Sequence, residues 1–311
     1  MLAILKTTPA GLKRLEEFEP GSWIDLVAPT EEELERVSQE LVIPLDLLMG
    51  PLDEEEKSRI DVEDGLTHVI VDIPILVRED DQQGYETIPL GILIHPDYIL
   101  TTCLRPNPIL GEFEHGMVRG FATFWKTRLL LQILQRVAAF YLRYLGRIDR
   151  ETDRVERELR ASMKNAEIFD LLSLQKSLVY FTTSLRSNEG VLQKLSRTRT
   201  VKMYEEDQDL LEDVLVETKQ ASEMARIYTD ILTGMMDAFT SVISNNLNRV
   251  MKLLTSLTII LGIPTVVFSF WGQNVNLPFG VVSTYGAPIT LAVAFGISAI
   301  LAFVFWRKRF F

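Results

Sequence analysis

The chain has little of the residue types from which redox, metal and catalytic centres are usually built. Its 311 residues include one cysteine, Cys103, and three histidines, His68, His95 and His115. A single cysteine excludes an intrachain disulfide and agrees with a reducing cytosol, and we expect Cys103, which lies in an apolar run, to be a buried structural thiol. The histidines are scattered without zinc-ligand spacing, so we interpret them as structural or surface residues.

Short motifs of the common enzyme classes are also missing. The sequence has no glycine-rich phosphate loop ending in Lys-Ser or Lys-Thr, no nucleophile elbow and no metalloprotease helix motif. We therefore expect that the protein is not an enzyme and needs no cofactor, and ATP-driven pumping has no support in the sequence.

Charged side chains are absent from one long segment. No Asp, Glu, Lys, Arg or His occurs from Leu253 to Trp306. Two apolar runs in this segment, Leu253–Phe270 and Pro288–Trp306, approach the roughly 20 residues that a helix needs to cross a bilayer. The pattern predicts a two-span membrane hairpin with a connecting loop at about residues 272–287.

A neutral tetrad follows the first span, at the place where one membrane face is expected. It reads Trp271-Gly272-Gln273-Asn274. A glycine beside carboxamides at the end of a spanning helix can bind a hydrated cation or its waters. The tetrad therefore indicates transport, and since one hairpin cannot enclose a water-filled path, a pore requires several copies.

The rest of the sequence is acidic. All 43 Asp and Glu precede Asn248, and five of the 32 Lys and Arg follow it. These five are Arg249, Lys252, Arg307, Lys308 and Arg309. They flank the two spans, so the positive-inside rule places both termini in the cytoplasm. An acidic body repels nucleic acid and concentrates cations, although solubility alone also explains the excess.

The first 120 residues predict an α/β domain with a small sheet. Strand-like runs occur at Trp23–Val27, Leu66–Val77, Thr87–His95 and Tyr98–Leu104. Thr30 and Glu33 form a capping-box signature that opens a short helix to about Leu41, and another helix is predicted over Ile109–Gly120.

Long helices are predicted after residue 120, because no proline occurs between Pro108 and Pro264. Their predicted ranges are Phe121–Ser162, Ile168–Arg199 and Glu205–Phe270. The third helix carries a stripe spaced by three and four residues, formed by Leu211, Val214, Thr218, Ala221, Ala225, Tyr228, Leu232, Met235, Phe239 and Val242. Such a stalk, about 100 Å long at 1.5 Å per residue, either transmits a cytosolic signal or is a rigid spacer. The predicted domains are residues 1–120, a stalk region at 121–248 and a membrane domain at 249–311.

Several stretches resemble the CorA family of divalent-cation transporters. They are Asn248–Thr255, Pro264-Thr265 and the tetrad, joined by Met236–Phe239, Ser241–Asn246, Ile43–Leu45 and Asp53–Glu56. The family ends its first span in Tyr-Gly-Met-Asn. The resemblance covers nearly the whole chain and implies a funnel-shaped homopentamer in which the stalk and the first span line the pore.

The same resemblance assigns site residues by position. Gly272, Gln273 and Asn274 become the selectivity filter, with Asn274 presenting its side-chain carbonyl to the waters of a hydrated Mg²⁺. The implied pore lining consists of Asp237, Asn248, Met251, Leu254 and Thr265. In this interpretation Met251 and Leu254 form an apolar constriction, and Asp237 attracts cations at the cytosolic mouth. The implied partners are divalent cations, membrane lipid and further copies of the chain, and the implied location is the cell (inner) membrane.

Departures from the family pattern leave alternatives open. Trp271 and Gln273 replace the family Tyr and Met, so Zn²⁺, Co²⁺ or Ni²⁺ transport is an alternative to Mg²⁺. A membrane-anchored scaffold or sensor is the alternative from another functional class. Asp213, with Asp209 one turn away, matches a carboxylate through which internal Mg²⁺ closes relatives, whereas Met49 stands where the family has the partner Asp. The nearest substitutes are Asp46 and the carboxylates of residues 53–56.

Overall fold

The computed structural model describes residues 1–63, 65–79, 82–162, 165–197, 201, 203–273, 285–308 and 310. The chain divides into two compact units, Met1–Thr233 and Gly234–Phe311, and one long helix runs through the boundary between them. The predicted domain limits at residues 120 and 248 divide the chain by proposed function and not by compactness, so the boundary between the two compact units does not test them. They stay a prediction.

A single mixed sheet of seven strands organises the described part of the first unit. The strands are β1 Leu2–Thr8, β2 Gly11–Leu15, β3 Trp23–Val27, β4 Arg59–Glu63, β5 Leu66–Glu79, β6 Gln82–Ile94 and β7 Ile99–Cys103. Their order across the sheet is β2-β1-β3-β7-β6-β5-β4, with β3 and β7 parallel and the other neighbours antiparallel. The predicted α/β domain is confirmed.

The sheet is larger than the sequence suggests. Strands β1, β2 and β4 are added to the predicted set, and β6 begins at Gln82 instead of Thr87. The polar run at the start of β6 lacks alternation, but it is held by backbone pairing with β5, for example Tyr85 opposite Leu76. Backbone hydrogen bonds between paired strands do not depend on side-chain type, so a polar strand of this kind cannot be recognised from the hydrophobic pattern of the sequence.

Helices cover both faces of the sheet. The short helices are α1 Glu31–Leu41, α2 Leu45–Met49 and α3 Pro108–Glu114, with a 3₁₀ turn at Gly50–Leu52. Ile24 and Leu26 of β3 pack in one buried cluster with Val37 of α1. Alternate strand residues point to opposite faces, and Trp23, which precedes Ile24, accordingly meets Phe113 of α3 edge-on, with ring centroids 6.3 Å apart.

The capping-box prediction for α1 is confirmed, whereas three other helices begin or end at residues other than those predicted. Thr30 and Glu33 exchange both bonds of the box. Helix α3 ends at Glu114, not Gly120, because Gly116 and Gly120 adopt positive φ angles of +67° and +71° that a helix cannot contain.

Four longer helices follow. They are α4 Lys126–Ser162, α5 Asn165–Arg197, α6 Glu205–Trp271 and α7 Gly286–Arg307. Helix α4 starts five residues later than predicted, because Thr123 is held outside it: its hydroxyl donates to the Gly21 carbonyl (2.7 Å) and its N–H to Thr7 Oγ1 (3.1 Å). Helix α5 starts at Asn165, three residues before the predicted Ile168. The predicted end of α5 at Arg199 lies outside the described residues.

Helices α4 and α5 are anchored to the same point of β5. The Tyr141 hydroxyl of α4 donates to the Asp72 carbonyl (3.0 Å), and the Asn188 side chain of α5 bonds the N–H (2.9 Å) and the carbonyl (2.8 Å) of Asp72. Buried backbone groups require such partners, so these contacts fix both helices on the sheet.

The predicted stripe of α6 is buried within this chain for most of its length. Leu211, Val214, Thr218, Ala221, Ala225 and Leu232 are buried, and Val242, near its end, is exposed. The part of the stripe from Leu211 to Leu232 therefore packs within the first unit. This packing explains the three-and-four spacing of the stripe without a neighbouring subunit.

Candidate functional site

The two predicted spans are helical over their described residues. The segment of α6 that ends at Trp271 and the whole of α7 are long and apolar enough to cross a membrane. Only 11% and 17% of the most apolar window of each helix is buried. A core helix of a soluble protein would be mostly buried, so the apolar surface of these helices fits a lipid environment.

Small side chains mark the face on which α7 meets α6. The buried residues of α7 are Gly286, Thr290, Ala294 and Ser298, spaced by four. Buried residues of α6 in this region are Ser256 and Val267. A small-residue stripe allows close approach of two helices in a membrane, and the Ser298 hydroxyl bonds directly to the Ile260 carbonyl at 3.3 Å.

This bond compensates for a proline. Helix α6 continues through Pro264, which has no N–H to donate to the carbonyl four residues earlier. That carbonyl belongs to Ile260, and it accepts the Ser298 hydroxyl. In an apolar environment an unpaired carbonyl costs free energy, so Ser298 permits the proline to remain in the span.

A double-mutant cycle tests this compensation. We expect Ser298→Ala to lower the free energy of unfolding in detergent micelles by about 0.5–2 kcal/mol. In a Pro264→Ala background the same change should cost close to nothing, because residue 264 then supplies the missing N–H. An equal cost in both backgrounds, measured by thermal or denaturant unfolding, would contradict the explanation.

The predicted pore-lining residues lie on another side of α6. Asp237, Asn248, Met251, Leu254 and Thr265 are all exposed within the chain. At 100° per residue they occupy about one third of the helix circumference, centred well away from Ser256 and Val267. The α6–α7 pairing therefore leaves this stripe uncovered.

The structure describes the tetrad up to Gln273. Helix α6 ends at Trp271, and Gly272 N–H closes the last turn on the Phe268 carbonyl at 2.9 Å. A Cβ at Gly272 would lie 3.1 Å from that carbonyl oxygen, so a larger residue would disturb the turn. Gly272 and Gln273 are exposed. Asn274, the predicted filter residue, lies outside the described residues.

The predicted regulatory carboxylates are accessible. Asp209 and Asp213 are exposed and one turn apart on α6, beside its buried stripe. Next along the helix, burial together with the Asp213 charge raises the pKa of Glu217. Met49 and Asp46 of α2 are also exposed. In the described chain no group of three His, Cys, Asp or Glu is arranged to hold a metal ion.

Part of the acidic run near α2 is already neutralised. Glu54 is paired with Arg105, and Glu56 with Arg59. Arg59 also bonds Asp61 at 2.6 Å. These pairs make the run a poor substitute for the missing partner of Asp213.

Cys103 and the histidines occupy structural positions. Cys103 is fully buried, and burial raises the pKa of its thiol to about 11. His68 is 3% exposed and burial lowers its pKa to about 4; its Nδ1 has no hydrogen-bond partner among the described residues, so it is not a fully satisfied core histidine. His95 Nδ1 accepts the Asp97 N–H at 3.1 Å, and His115 Nδ1 lies 2.7 Å from the Gly111 carbonyl.

One buried carboxyl is not found by motif reading. Asp25 of β3 is 1% exposed and accepts the Thr101 hydroxyl at 2.6 Å, and Trp23 Nε1 donates to the same hydroxyl at 2.7 Å. Burial raises the pKa of Asp25 to about 7, and the nearby Glu114 adds to the shift. The available signal was a lone acid in the apolar strand Trp23–Val27.

Known proteins match this chain over nearly all of its length. A model of the family described as CorA-like Mg²⁺ transporter protein matches residues 19–309. The cobalt/magnesium transport protein CorA of Methanocaldococcus jannaschii is 29% identical over 300 residues, covering 92% of this chain and 90% of the relative.

Solved structures also resemble this chain. The complete structure of the CorA magnesium transporter from Methanocaldococcus jannaschii has a TM-score of 0.85 at 27% identity, covering 99% of this chain and 98% of that chain. The cytoplasmic domain of ZntB from Vibrio parahaemolyticus has a TM-score of 0.60 at 14% identity, covering 78% of this chain and 96% of that domain. At that identity the ZntB likeness concerns the fold alone.

Proposed function

The chain belongs to the family of CorA-like Mg²⁺ transporter proteins, and we propose that it conducts Mg²⁺ passively through a homopentameric pore. The family is one of membrane transporters, which confirms the expectation that the protein is not an enzyme. The observation that carries the proposal is the stripe of α6 that α7 leaves uncovered, since it holds polar and apolar residues in the order a cation path requires.

Several copies are needed to close that path. One helix hairpin cannot shield an ion from lipid, whereas five copies of α6 around an axis can turn their uncovered stripes inward. Asp237 then lies at the cytosolic entrance, Met251 and Leu254 form a narrow apolar segment, and Thr265 offers a neutral oxygen nearer the filter. Both termini are cytoplasmic in this arrangement, in the cell (inner) membrane.

Neutral oxygens at the outer end suit a hydrated ion. Mg²⁺ gives up its octahedral water reluctantly, so the carboxamides of Gln273 and Asn274 can hold the hydration shell without removing it. The same chemistry disfavours Zn²⁺, which prefers nitrogen and sulfur ligands. Zn²⁺, Co²⁺ or Ni²⁺ conduction nevertheless stays the second candidate, because Gln273 departs from the family residue.

Thiol modification tests which face of α6 lines the path. A Thr265→Cys variant in liposomes should lose most of its Mg²⁺ flux when treated with a trimethylammonium methanethiosulfonate reagent, because a fixed positive charge in the pore repels the ion. A Val267→Cys variant is the matched control, since Val267 is 8% exposed and lies on the buried side.

The native chain gives a clean background for this experiment. Its single thiol, Cys103, is buried, and its raised pKa keeps it in the unreactive protonated form. Equal block of both variants, or no block of Thr265→Cys, would remove the assignment of the pore-lining face.

Internal Mg²⁺ as a regulatory ligand is part of the same proposal. Two carboxylates one turn apart on α6, Asp209 and Asp213, can bind Mg²⁺ through its waters and lose their mutual repulsion. We expect an Asp209→Ala, Asp213→Ala variant to need about tenfold more internal Mg²⁺ for half inhibition, which corresponds to about 1.4 kcal/mol of lost binding.

The control removes the same charge elsewhere on α6. Glu223→Ala, Asp230→Ala alters two other exposed carboxylates and should leave inhibition as in the unmodified protein. Unchanged inhibition in the Asp209/Asp213 variant would show that these residues are ordinary solvated acids.

A further inference from the structure

A basic patch gathers at one end of the helix hairpin. We define it as the four exposed residues Arg249, Lys252, Arg307 and Lys308. Arg249 and Lys252 precede Ser256 and Ile260 of α6 at intervals of three and four, so they continue the side that faces α7. Arg249 lies well away from the uncovered stripe that begins at Asp237, whereas Lys252 lies beside its edge, one turn from Asn248.

Two contacts between α6 and the C-terminal segment place Arg249 and Lys252 at the same end of the hairpin as Arg307 and Lys308. The helices are antiparallel, with the Ser298 hydroxyl bonded to the Ile260 carbonyl. Further toward the patch, Lys252 Nζ lies 5.9 Å from the centre of the Phe310 ring, just beyond α7. The Phe310 N–H donates to the Phe305 carbonyl at 3.0 Å, which holds Phe310 against the end of α7.

The charges of the patch are not paired with carboxylates in the part of the chain that the structure describes. Among the described residues none of the four forms an ion pair. The only acidic residue from Gly234 onward is Asp237, twelve residues before Arg249. Twelve helical residues correspond to about 18 Å, too far for direct contact.

Exposed apolar and aromatic side chains adjoin the patch. Leu253 is next to Lys252, and Phe303 and Trp306 precede Arg307; they are 48%, 56% and 69% exposed. Tryptophan is enriched at membrane interfaces, where its ring lies among the headgroups. Positive charge directly above an apolar surface is complementary to a lipid with an anionic headgroup and acyl chains.

We propose that the basic patch is a binding site for an anionic phospholipid of the cytoplasmic leaflet, which holds α6 and α7 together at that end. The inference rests on the proposed membrane location of these helices. The phosphate lies among Arg249, Lys252, Arg307 and Lys308, and the acyl chains lie along Leu253 and Phe303. Bound lipid then stabilises the assembled protein.

The test measures lipid binding to the full-length protein in a neutral detergent. Phosphatidylglycerol and phosphatidylcholine are added in turn, and bound lipid is counted by native mass spectrometry alongside the thermal unfolding midpoint. We expect phosphatidylglycerol to be retained preferentially and to raise the midpoint. Each basic side chain contributes about fivefold to binding at an anionic surface, so Arg307→Gln, Lys308→Gln should weaken the preference roughly 30-fold.

Two controls separate charge at this site from charge in general. Lys219→Gln, Arg226→Gln removes two exposed cations from the cytosolic part of α6 and should keep the full preference, as should the charge-conserving Arg307→Lys. Equal retention of both lipids, an equal loss in the control variant, or complete displacement by millimolar inorganic phosphate would overturn the proposal. Because the readout needs no ion flux, a protein that binds the lipid but does not conduct would refute only the proposed function.

Discussion

An Asn274→Ala variant is expected to lose nearly all Mg²⁺ flux while it still folds and assembles. Each copy would lose one hydrogen bond to the waters of a doubly charged ion. One such bond is worth about 1.5–3 kcal/mol, so its loss alone lowers the flux by about 10-fold or more, and the loss in every copy lowers it further. The measurement is Mg²⁺ entry into liposomes that contain equal amounts of purified protein.

Asn276→Ala is the matched control, because it removes the same carboxamide two residues further along the sequence. It should retain flux near that of the unmodified protein. If Asn274→Ala conducted normally, the tetrad would not be a filter. That result would favour the alternative in which the hairpin is a membrane anchor for a scaffold or sensor.

Asp25→Asn is expected to make the protein more stable at alkaline pH. The folded state raises the pKa of Asp25 from 3.8 to about 7, chiefly through burial. Between these values the folded chain keeps a proton that the unfolded chain has lost, so the free energy of unfolding falls as pH rises from about 4 to 7. The loss approaches about 4 kcal/mol, at 1.36 kcal/mol per unit.

The neutral amide removes this dependence and can still accept the Thr101 hydroxyl. The unfolding midpoint of Asp25→Asn should therefore exceed that of the unmodified protein at pH 8 and approach it at pH 4. Asp46→Asn, which removes a carboxylate at an exposed site, is the control for the loss of one negative charge. A difference between Asp25→Asn and the unmodified protein that does not vary from pH 4 to 8 would mean that Asp25 does not titrate in this range.

Features that depend on the residues of one helix or strand alone could be predicted from the sequence. The charge-free segment predicted two membrane helices, and Thr30 with Glu33 predicted the start of α1, since a cap needs only local residues. Packing-dependent features were not readable. The start of β6 depends on backbone pairing with β5, and the start of α4 depends on Thr123 bonding to Thr7 of β1 and to Gly21, both distant in the sequence.

The candidate site divides in the same way. The residues of the uncovered stripe were found through resemblance, whereas the reason that α6 tolerates Pro264 required Ser298, 34 residues away in the sequence. Asp25 was missed because a lone acid in an apolar strand carries no motif, and its burial follows from α3 covering that face of the sheet. Interactions between distant elements are decided by tertiary packing, which periodicity does not encode.

Potential-driven flux is the most direct test of the account. The purified protein is reconstituted in liposomes, and entry of Mg²⁺, Zn²⁺, Co²⁺ and Ni²⁺ is compared at a set membrane potential, with and without a pH gradient. We predict Mg²⁺ entry that follows the potential and needs no pH gradient, since the described spans contain no titratable group to carry protons. Preference for Zn²⁺, a requirement for a proton gradient, or no flux of any ion would contradict it.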